Sequence, residues 1–531
     1  MPMGAPERET ALDRHSILFA EDSELDSDFE ARGAPEFFSD LNLDQIVESI
    51  TAGRDEYNLK PFFHTPLRRV ESINYRYDVF RDLENESIFG YVQAFAQDMR
   101  TVRGHLTQVG KLYYARQKQS WFLDAVEMYC GAVRRLAAQF ASANLTSRGL
   151  LGIQSYLSGY VESSDFNSLA SETQKLKEDL SGIMYSLFIE GKRIHVSRYG
   201  GEPDYGADVL DTFEKFKQGA PKEYSFKFPS TVDMNHVEAA ILDLVARWYP
   251  EVFSALEAHY VHHRDYIDST VARFDREVQF YVACLEHLGG IKRAGLPVCH
   301  PTVTDRSKEI NGNDVFDLAL ANRLIRENRP VVQNDFFLQD PERIIVVSGP
   351  NQGGKTTFAR VFGQLHYLAA IGCPVPGSEA RLFLFDEMFT HFEREEDIQN
   401  LSGKLEDDLL RIHRILESAT PRSVLIMNES FLSTTLNDAL FLSKQIMERV
   451  IELDMLCVSV TFLDEMASFG RTTVSMVSTV NPTDPAQRTF KVVRKRADGL
   501  AYAVAIAEKY HLTYDGVKER IAAGAKERVA S

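Results

Sequence analysis

Residues 349–356 read Gly-Pro-Asn-Gln-Gly-Gly-Lys-Thr and fit the pattern GxxxxGK[ST]. The chemistry this spacing suits is phosphate binding. Glycines let the backbone curl until several amide N–H groups point at one anion, and the positive end of a following helix adds to the field. Gly349, Pro350, Asn351, Gln352, Gly353, Gly354 and Thr357 would form the cradle. Lys355 would reach the β- and γ-phosphates of a nucleotide, and the Thr356 hydroxyl would ligate Mg2+. An apolar run at 344–347 precedes the turn and a helical pattern follows it. That strand–turn–helix context separates the motif from a chance glycine turn.

A second apolar run, within SVLIMNES (423–430), ends in Asn428-Glu429. Glu429 has the chemistry to polarise an attacking water, although a solvated strand-end carboxylate reads the same way. Asn428 is neutral and would hold metal-bound water less strongly than an aspartate. Between the two motifs, Ser402-Gly403 precedes an apolar stripe of Leu405, Leu409, Ile412 and Leu416. A hydroxyl and free amides at a helix start suit a phosphate, and a plain helix cap suits the same residues.

These residues need elements to hold them. From about residue 330 onward, strand patterns alternate with helical ones, which predicts a mostly parallel α/β sheet. Upstream the chain is mostly helical from about 45 to 180, broken at Pro61 and Pro66. A small β-rich insert is expected over 183–230, where IMYSLFIEGKRIHVSRYGG and EYSFKFPS alternate. Helix returns over 233–290, with Val271, Phe274, Val278, Tyr281 and Leu285 as its apolar stripe. The expected fold is therefore multidomain, α and α/β.

Net charge is −18, and the first 50 residues hold 13 Asp and Glu against 3 Arg. Residues 1–40 thus read as an acidic, mobile arm. An acidic chain is a poor non-specific DNA binder unless its Lys and Arg cluster in space. The 5 cysteines form no CxxC pair, so neither a disulfide frame nor a structural zinc site is expected. No apolar run is long enough to cross a bilayer and no signal peptide is visible, which points to a cytoplasmic protein. Of His259, His262 and His263, the first and last are four apart on a predicted helix and could share a metal, but a solvated helix face explains them more simply. Arg488, Lys491, Arg494, Lys495 and Arg496 could touch a phosphate backbone or be strand-end charges.

Taken in order, GPNQGGKTTFAR, IGCPVPGSEARLFLFDEMFTHF, ILESATPRSVLIMNESFLSTTLNDA and DGLAYAVAIAEKYHL resemble the MutS family of DNA mismatch-repair ATPases, which are related to ABC proteins. The resemblance is strong over about 330–525. It is weaker at FHTPLRRVESINYRYDVFRDLE (63–84), which is similar to the start of the MutS core, and at FDREVQFYVACLEHLGG and RPVVQNDFFL.

The resemblance implies a helical core and lever region over 41–325 and an ABC-type P-loop ATPase domain over 326–531. It implies ATP and Mg2+ as cofactors and a homodimer with composite ATP sites. Glu429 would be the water-activating carboxylate, with Thr356 and Asn428 at the metal. Ser402 or Gly403 would face the partner's nucleotide, Asp438 would belong to the loop after the acidic strand, and Val331 would stand where the family stacks an aromatic on adenine. Asn428, Val331 and Phe462 depart from the family pattern, so ATP binding with slow turnover is expected.

In MutS a mismatch-reading domain precedes the core, and here only the residues before Phe63 do. The F-x-E matches at Phe19-Ala20-Glu21 and Phe188-Ile189-Glu190 read as chance. The expected function is ATP-dependent DNA binding of the mismatch-repair class by a dimeric clamp without direct mismatch reading. The alternative is a nucleotide-gated protein scaffold that hydrolyses little.

Overall fold

The computed structural model describes residues 15–21, 29–202, 234–393, 403–431, 434–481, 483–497 and 518. The chain divides into two units. One comprises Met1–His15, Asn85–Thr146 and Leu150–Asp275, and the other Ser16–Glu84, Ser147–Gly149 and Arg276–Ser531. This division differs from the expected helical region over 41–325, because residues 41–84 and 276–325 belong with the C-terminal part.

The first unit is helical. Its helices Glu86–Lys111 and Ala115–Ser142 pack along their length, and Ser164–Ser181, His236–Trp248 and Pro250–His262 add to them. Asn85 caps the first helix by accepting from the amides of Ser87 and Ile88. Asn235 and Glu238 form a reciprocal capping box. Leu123, Leu176, Val245, Ala246, Phe253 and Leu256 make one core cluster. In the insert, Tyr185–Glu190 pairs antiparallel with Arg193–Arg198 around Gly191, whose φ of +60° suits a tight turn. EYSFKFPS lies outside the described residues.

The second unit is built on a six-stranded sheet. Its strands run in the order Met388–Phe392, Val424–Asn428, Leu456–Val460, Ile344–Ser348, Thr473–Asn481, Asp484–Arg494. The first five are parallel and the last is antiparallel to its neighbour. The central strands are buried along nearly their whole length, which is why they read as unbroken apolar runs. The parallel register sets Asn428 opposite Val460, and Val460 opposite Val347. The turns that follow these strands therefore leave the sheet along one edge, where α/β sheets place ligands. This unit also holds a four-stranded sheet of Thr302–Thr304, Glu379–Phe383, Ile310–Val315 and Asn334–Leu338, and a short pair of Val298–Cys299 with Val375–Pro376.

The expected mobile arm over 1–40 needs correction where it is described. Ile17, Leu18, Phe19, Phe29 and Phe38 are buried. Glu277 accepts from the Ser16 hydroxyl at 2.9 Å and from the Ile17 amide at 2.8 Å. Arg76 donates to the Leu18 carbonyl at 2.9 Å. Further on, the Asp40 and Leu41 carbonyls accept from Arg360 and Gln364 of the helix Lys355–Ala370, at 2.8 and 2.9 Å. The acidic composition hides these apolar residues, which meet partners far along the chain. Among the described residues, no helix is long and apolar enough to cross a membrane.

Candidate functional site

The glycine-rich turn leaves the strand Ile344–Ser348 and enters the helix Lys355–Ala370. Gly349 and Gly354 have φ of +112° and +94°, open to glycine and strained for other residues. A Cβ on Gly349 would come within 2.8 Å of the Ser478 carbonyl. One on Gly353 would collide with the Ser478 hydroxyl, which donates to the Gly353 carbonyl at 2.6 Å. The neighbouring strand thus clamps the turn.

Lys355 opens the helix and is only 4% exposed. Its ammonium donates to the Gly349 carbonyl at 2.9 Å and to Asn351 Oδ1 at 3.1 Å, and stands 3.7 Å from Glu429 Oε1. Burial pushes its pKa down, and the Glu429 carboxylate pulls against that shift. Beside it, the Thr356 hydroxyl donates to Asn428 Oδ1 at 2.8 Å. The Glu429 amide donates to the Val460 carbonyl at 2.9 Å, tying the acidic strand's end to its neighbour.

A cavity of about 760 Å3 opens over these groups. The turn from Asn351 to Thr357 and Glu429 line one part, and Pro330, Val331, Leu320 and Phe490 line another. The lining thus joins an anion cradle to apolar surface able to meet a flat ring, with Arg323, Arg329 and Asn334 also facing the cavity. Thr356 and Asn428 offer neutral oxygens, hard donors of the kind that suit Mg2+ with its retained waters.

One cavity residue, Phe490, was missed in the sequence, and so was the place of Arg488 beside the turn. Phe490 is 49% exposed, with φ of +57°. Arg488 donates to the Asn351 carbonyl at 3.2 Å. Both lie on the last strand, which reaches the turn through the pairing of Thr473–Asn481 with its two neighbours. The basic run 488–496 carried a signal of charge, but no spacing in the sequence connects it to residue 351.

Residues 345–520 match the family model of MutS domain V. A DNA mismatch repair protein MSH3 of Eremothecium gossypii is 30% identical over 138 residues, which are 26% of this chain and 13% of that protein. A DNA mismatch repair protein MutS of Petrotoga mobilis is 29% identical over 161 residues, 29% of this chain and 18% of that protein. Over this C-terminal stretch the chain is similar to MutS family proteins. An Endonuclease MutS2 of Thermus thermophilus is 28% identical over 189 residues, 35% of this chain and 25% of the relative. The match to each of these three covers 25% or less of the relative's own length.

The other residues expected from the MutS resemblance fall in several places. Gly403 heads the helix Lys404–Ser418 and is exposed, whereas Ser402 lies outside the described residues. Asp438 is in the first turn of Leu436–Glu452 and accepts from the Thr435 hydroxyl at 2.8 Å, away from the cavity lining. Phe462 is 44% exposed just past the strand Leu456–Val460. DGLAYAVAIAEKYHL lies outside the described residues.

The histidine cluster belongs to the helical unit. His263 pairs with Glu172 at 2.9 Å, and His259 meets the Thr173 hydroxyl at 3.0 Å. Burial pushes His259 down to about 4. Among the described residues no three His, Cys, Asp or Glu side chains gather as they would around a metal ion. Of the two F-x-E matches, Phe19 is a core residue and Phe188 is exposed on the hairpin.

Proposed function

We propose that this protein is a P-loop ATPase of the MutS type that binds ATP with Mg2+ and couples the nucleotide to a grip on DNA. The observation that carries the reading is the convergence of Lys355, Thr356 and Glu429 in the lining of one cavity, with Asn428 bonded to Thr356 beside them.

Each residue then has a task. Lys355 is a buried cation set among acceptors, ready to exchange them for phosphate oxygens. Amides of the turn and the helix start would bind the same phosphates. Val331 and Phe490 would hold the adenine. Mg2+ would supply charge neutralisation between the β- and γ-phosphates, seated on the Thr356 hydroxyl with Asn428 behind it. Glu429 would accept a proton from the water that attacks the γ-phosphorus, as the bond to the ADP oxygen breaks. A neutral Asn428 holds the metal's waters less firmly than a carboxylate, which favours slow turnover.

Gly403 is exposed at the start of its helix and leaves room for a second molecule. A homodimer with composite sites fits this, each Ser402-Gly403 facing the nucleotide of the other chain. The test mixes two inactive variants. Lys355→Ala loses the cradle, and the double variant Ser402→Arg, Gly403→Arg loses the facing segment. Mixed under subunit exchange, they should regain part of the ATPase activity. No recovery alongside an active wild type would overturn the shared site.

Binding to single-stranded, duplex, branched and mismatched DNA, with and without ATP, tests the DNA part. A second reading, a nucleotide-gated protein scaffold, draws on Asn428 and on Phe462, whose ring cannot hydrogen-bond a phosphate. ATP binding with no response to any DNA would favour it.

A further inference from the structure

Two of the three residues after Asn428 have left-handed backbone although they carry side chains. Glu429 has φ of +51° and Phe431 φ of +64°. Such residues are strained relative to ordinary helical or extended backbone, so their surroundings must hold them. Phe431 is fully buried, and the Glu429 amide is fixed on Val460. Ser430, between them, is held by a group that the proposed chemistry does not use.

That group is His391, on the strand Met388–Phe392 beside the acidic strand. It is 1% exposed, and its Nδ1 lies 2.9 Å from the Ser430 hydroxyl. Its Nε2 lies 3.3 Å from the Asp408 carbonyl and 3.6 Å from Asp408 Oδ1. Both oxygens only accept, so in the neutral ring Nε2 carries the proton, Nδ1 accepts, and the Ser430 hydroxyl donates. The His391 and Phe431 rings are 6.0 Å apart, tilted by 33°. Asp408 belongs to the helix Lys404–Ser418, which Arg411 also ties to the strand by donating to the Phe392 carbonyl at 3.1 Å.

We infer that His391 is a positioning residue that couples the seat of the Gly403-headed helix, through Asp408 and Ser430, to the backbone that aims Glu429. The inference deepens the ATPase reading and rests on Glu429 as the water-activating carboxylate. A shift of that helix when a second chain's nucleotide meets Gly403 would reach Glu429 through a single imidazole. Hydrolysis in one site would thereby depend on occupancy of the other. The Ser–His–Asp order invites comparison with a nucleophile and its base, but no substrate can reach a ring this buried.

The experiment reads the backbone first, without nucleotide. Hydrogen exchange is followed in peptides covering 424–431 and 344–360, for wild type, His391→Ala, His391→Asn, Ser430→Ala and the double alanine variant. His391→Asn keeps an acceptor near the Nδ1 position. Exchange at 429–431 should quicken roughly tenfold in His391→Ala and Ser430→Ala, a local opening, while 344–360 stays protected. His391→Asn should largely restore protection, and the double variant should match the single ones.

Calorimetry and single-turnover hydrolysis are then measured on the same proteins. ATP affinity should hold within about threefold while the rate falls in His391→Ala, since the lost contact serves Glu429 and not the cradle. Unchanged exchange, additive effects in the double variant, or equal loosening of 344–360 would overturn the inference. So would an affinity loss as large as the rate loss. A wild type that binds no ATP would overturn the nucleotide reading instead, and exchange at 429–431 would still decide whether His391 holds that backbone.

Discussion

The Thr356 hydroxyl donates to Asn428 Oδ1 across 2.8 Å, joining the start of the turn's helix to the end of the acidic strand. An amide accepts this bond without charge. An aspartate would make it charge-assisted and would strengthen the shell of a bound Mg2+. Asn428→Asp should therefore raise single-turnover ATP hydrolysis, by roughly tenfold if the gain is about 1.4 kcal/mol in the transition state. A rate that holds or falls would mean that Asn428 serves a long-lived ATP state.

Lys355 is the cation of the cradle, and its ammonium already has the Gly349 carbonyl, Asn351 and Glu429 around it. Lys355→Ala should weaken ATP binding by on the order of a hundredfold, as expected for a charged hydrogen bond of about 1.5–3 kcal/mol. Calorimetry checks this, with the melting temperature followed alongside because the side chain is buried. Wild-type affinity in a folded variant would remove the P-loop reading.

Phe490 offers an aromatic face in the cavity lining, where Val331 offers none. Stacking of a base on an aromatic side chain contributes about 1–3 kcal/mol. Phe490→Ala should weaken ATP by that amount while Phe490→Tyr keeps it, measured by titration with the nucleotide. Equal affinity in all three proteins would place the base elsewhere.

The turn was legible because its chemistry is local. Residues 349–356 carry the whole motif, and the buried parallel strands on either side of it in the sheet read as apolar runs. Phe490 was not legible as a cavity residue, nor Arg488 as a neighbour of the turn, because only strand order brings them there. Residues 15–40 were misread for a related reason. Charge averaged over that stretch says nothing of Ile17 or Asp40, whose carbonyls meet Tyr281 and Arg360 at long sequence distance. The split into two units was hidden as well, since continuous helical periodicity through residue 275 carries no mark of a boundary.

Leu41, the residue that follows that stretch, tests how firmly the chain packs there. It is fully buried, its methyl groups sit where a Cβ on Gly363 would come within 2.7 Å, and its carbonyl accepts from Gln364. Leu41→Ala should cost about 2–5 kcal/mol, the usual range for a buried leucine. The readout is the denaturant midpoint. A variant as stable as wild type would mean that Leu41 does not hold this segment against the helix Lys355–Ala370.

His366 makes stability depend on pH in a predictable direction. It lies fully buried within the helix Lys355–Ala370, with Nδ1 donating to the Phe362 carbonyl at 2.8 Å. Burial pushes its pKa down to about 4, against a smaller upward pull from that bond. The folded protein therefore keeps the ring neutral, while the unfolded chain takes up a proton below about pH 6.5. The contribution of the neutral ring is whole above that pH and is lost progressively as pH falls toward 4. Between pH 7.5 and pH 5.0 this one residue should cost roughly 2 kcal/mol. Other groups titrate alike in wild type and in His366→Leu, so the comparison isolates it. Unfolding by denaturant at the two pH values should show wild type losing about 2 kcal/mol more than the variant. Equal losses would mean that the imidazole protonates in place, with water reaching the base of the helix that begins at Lys355.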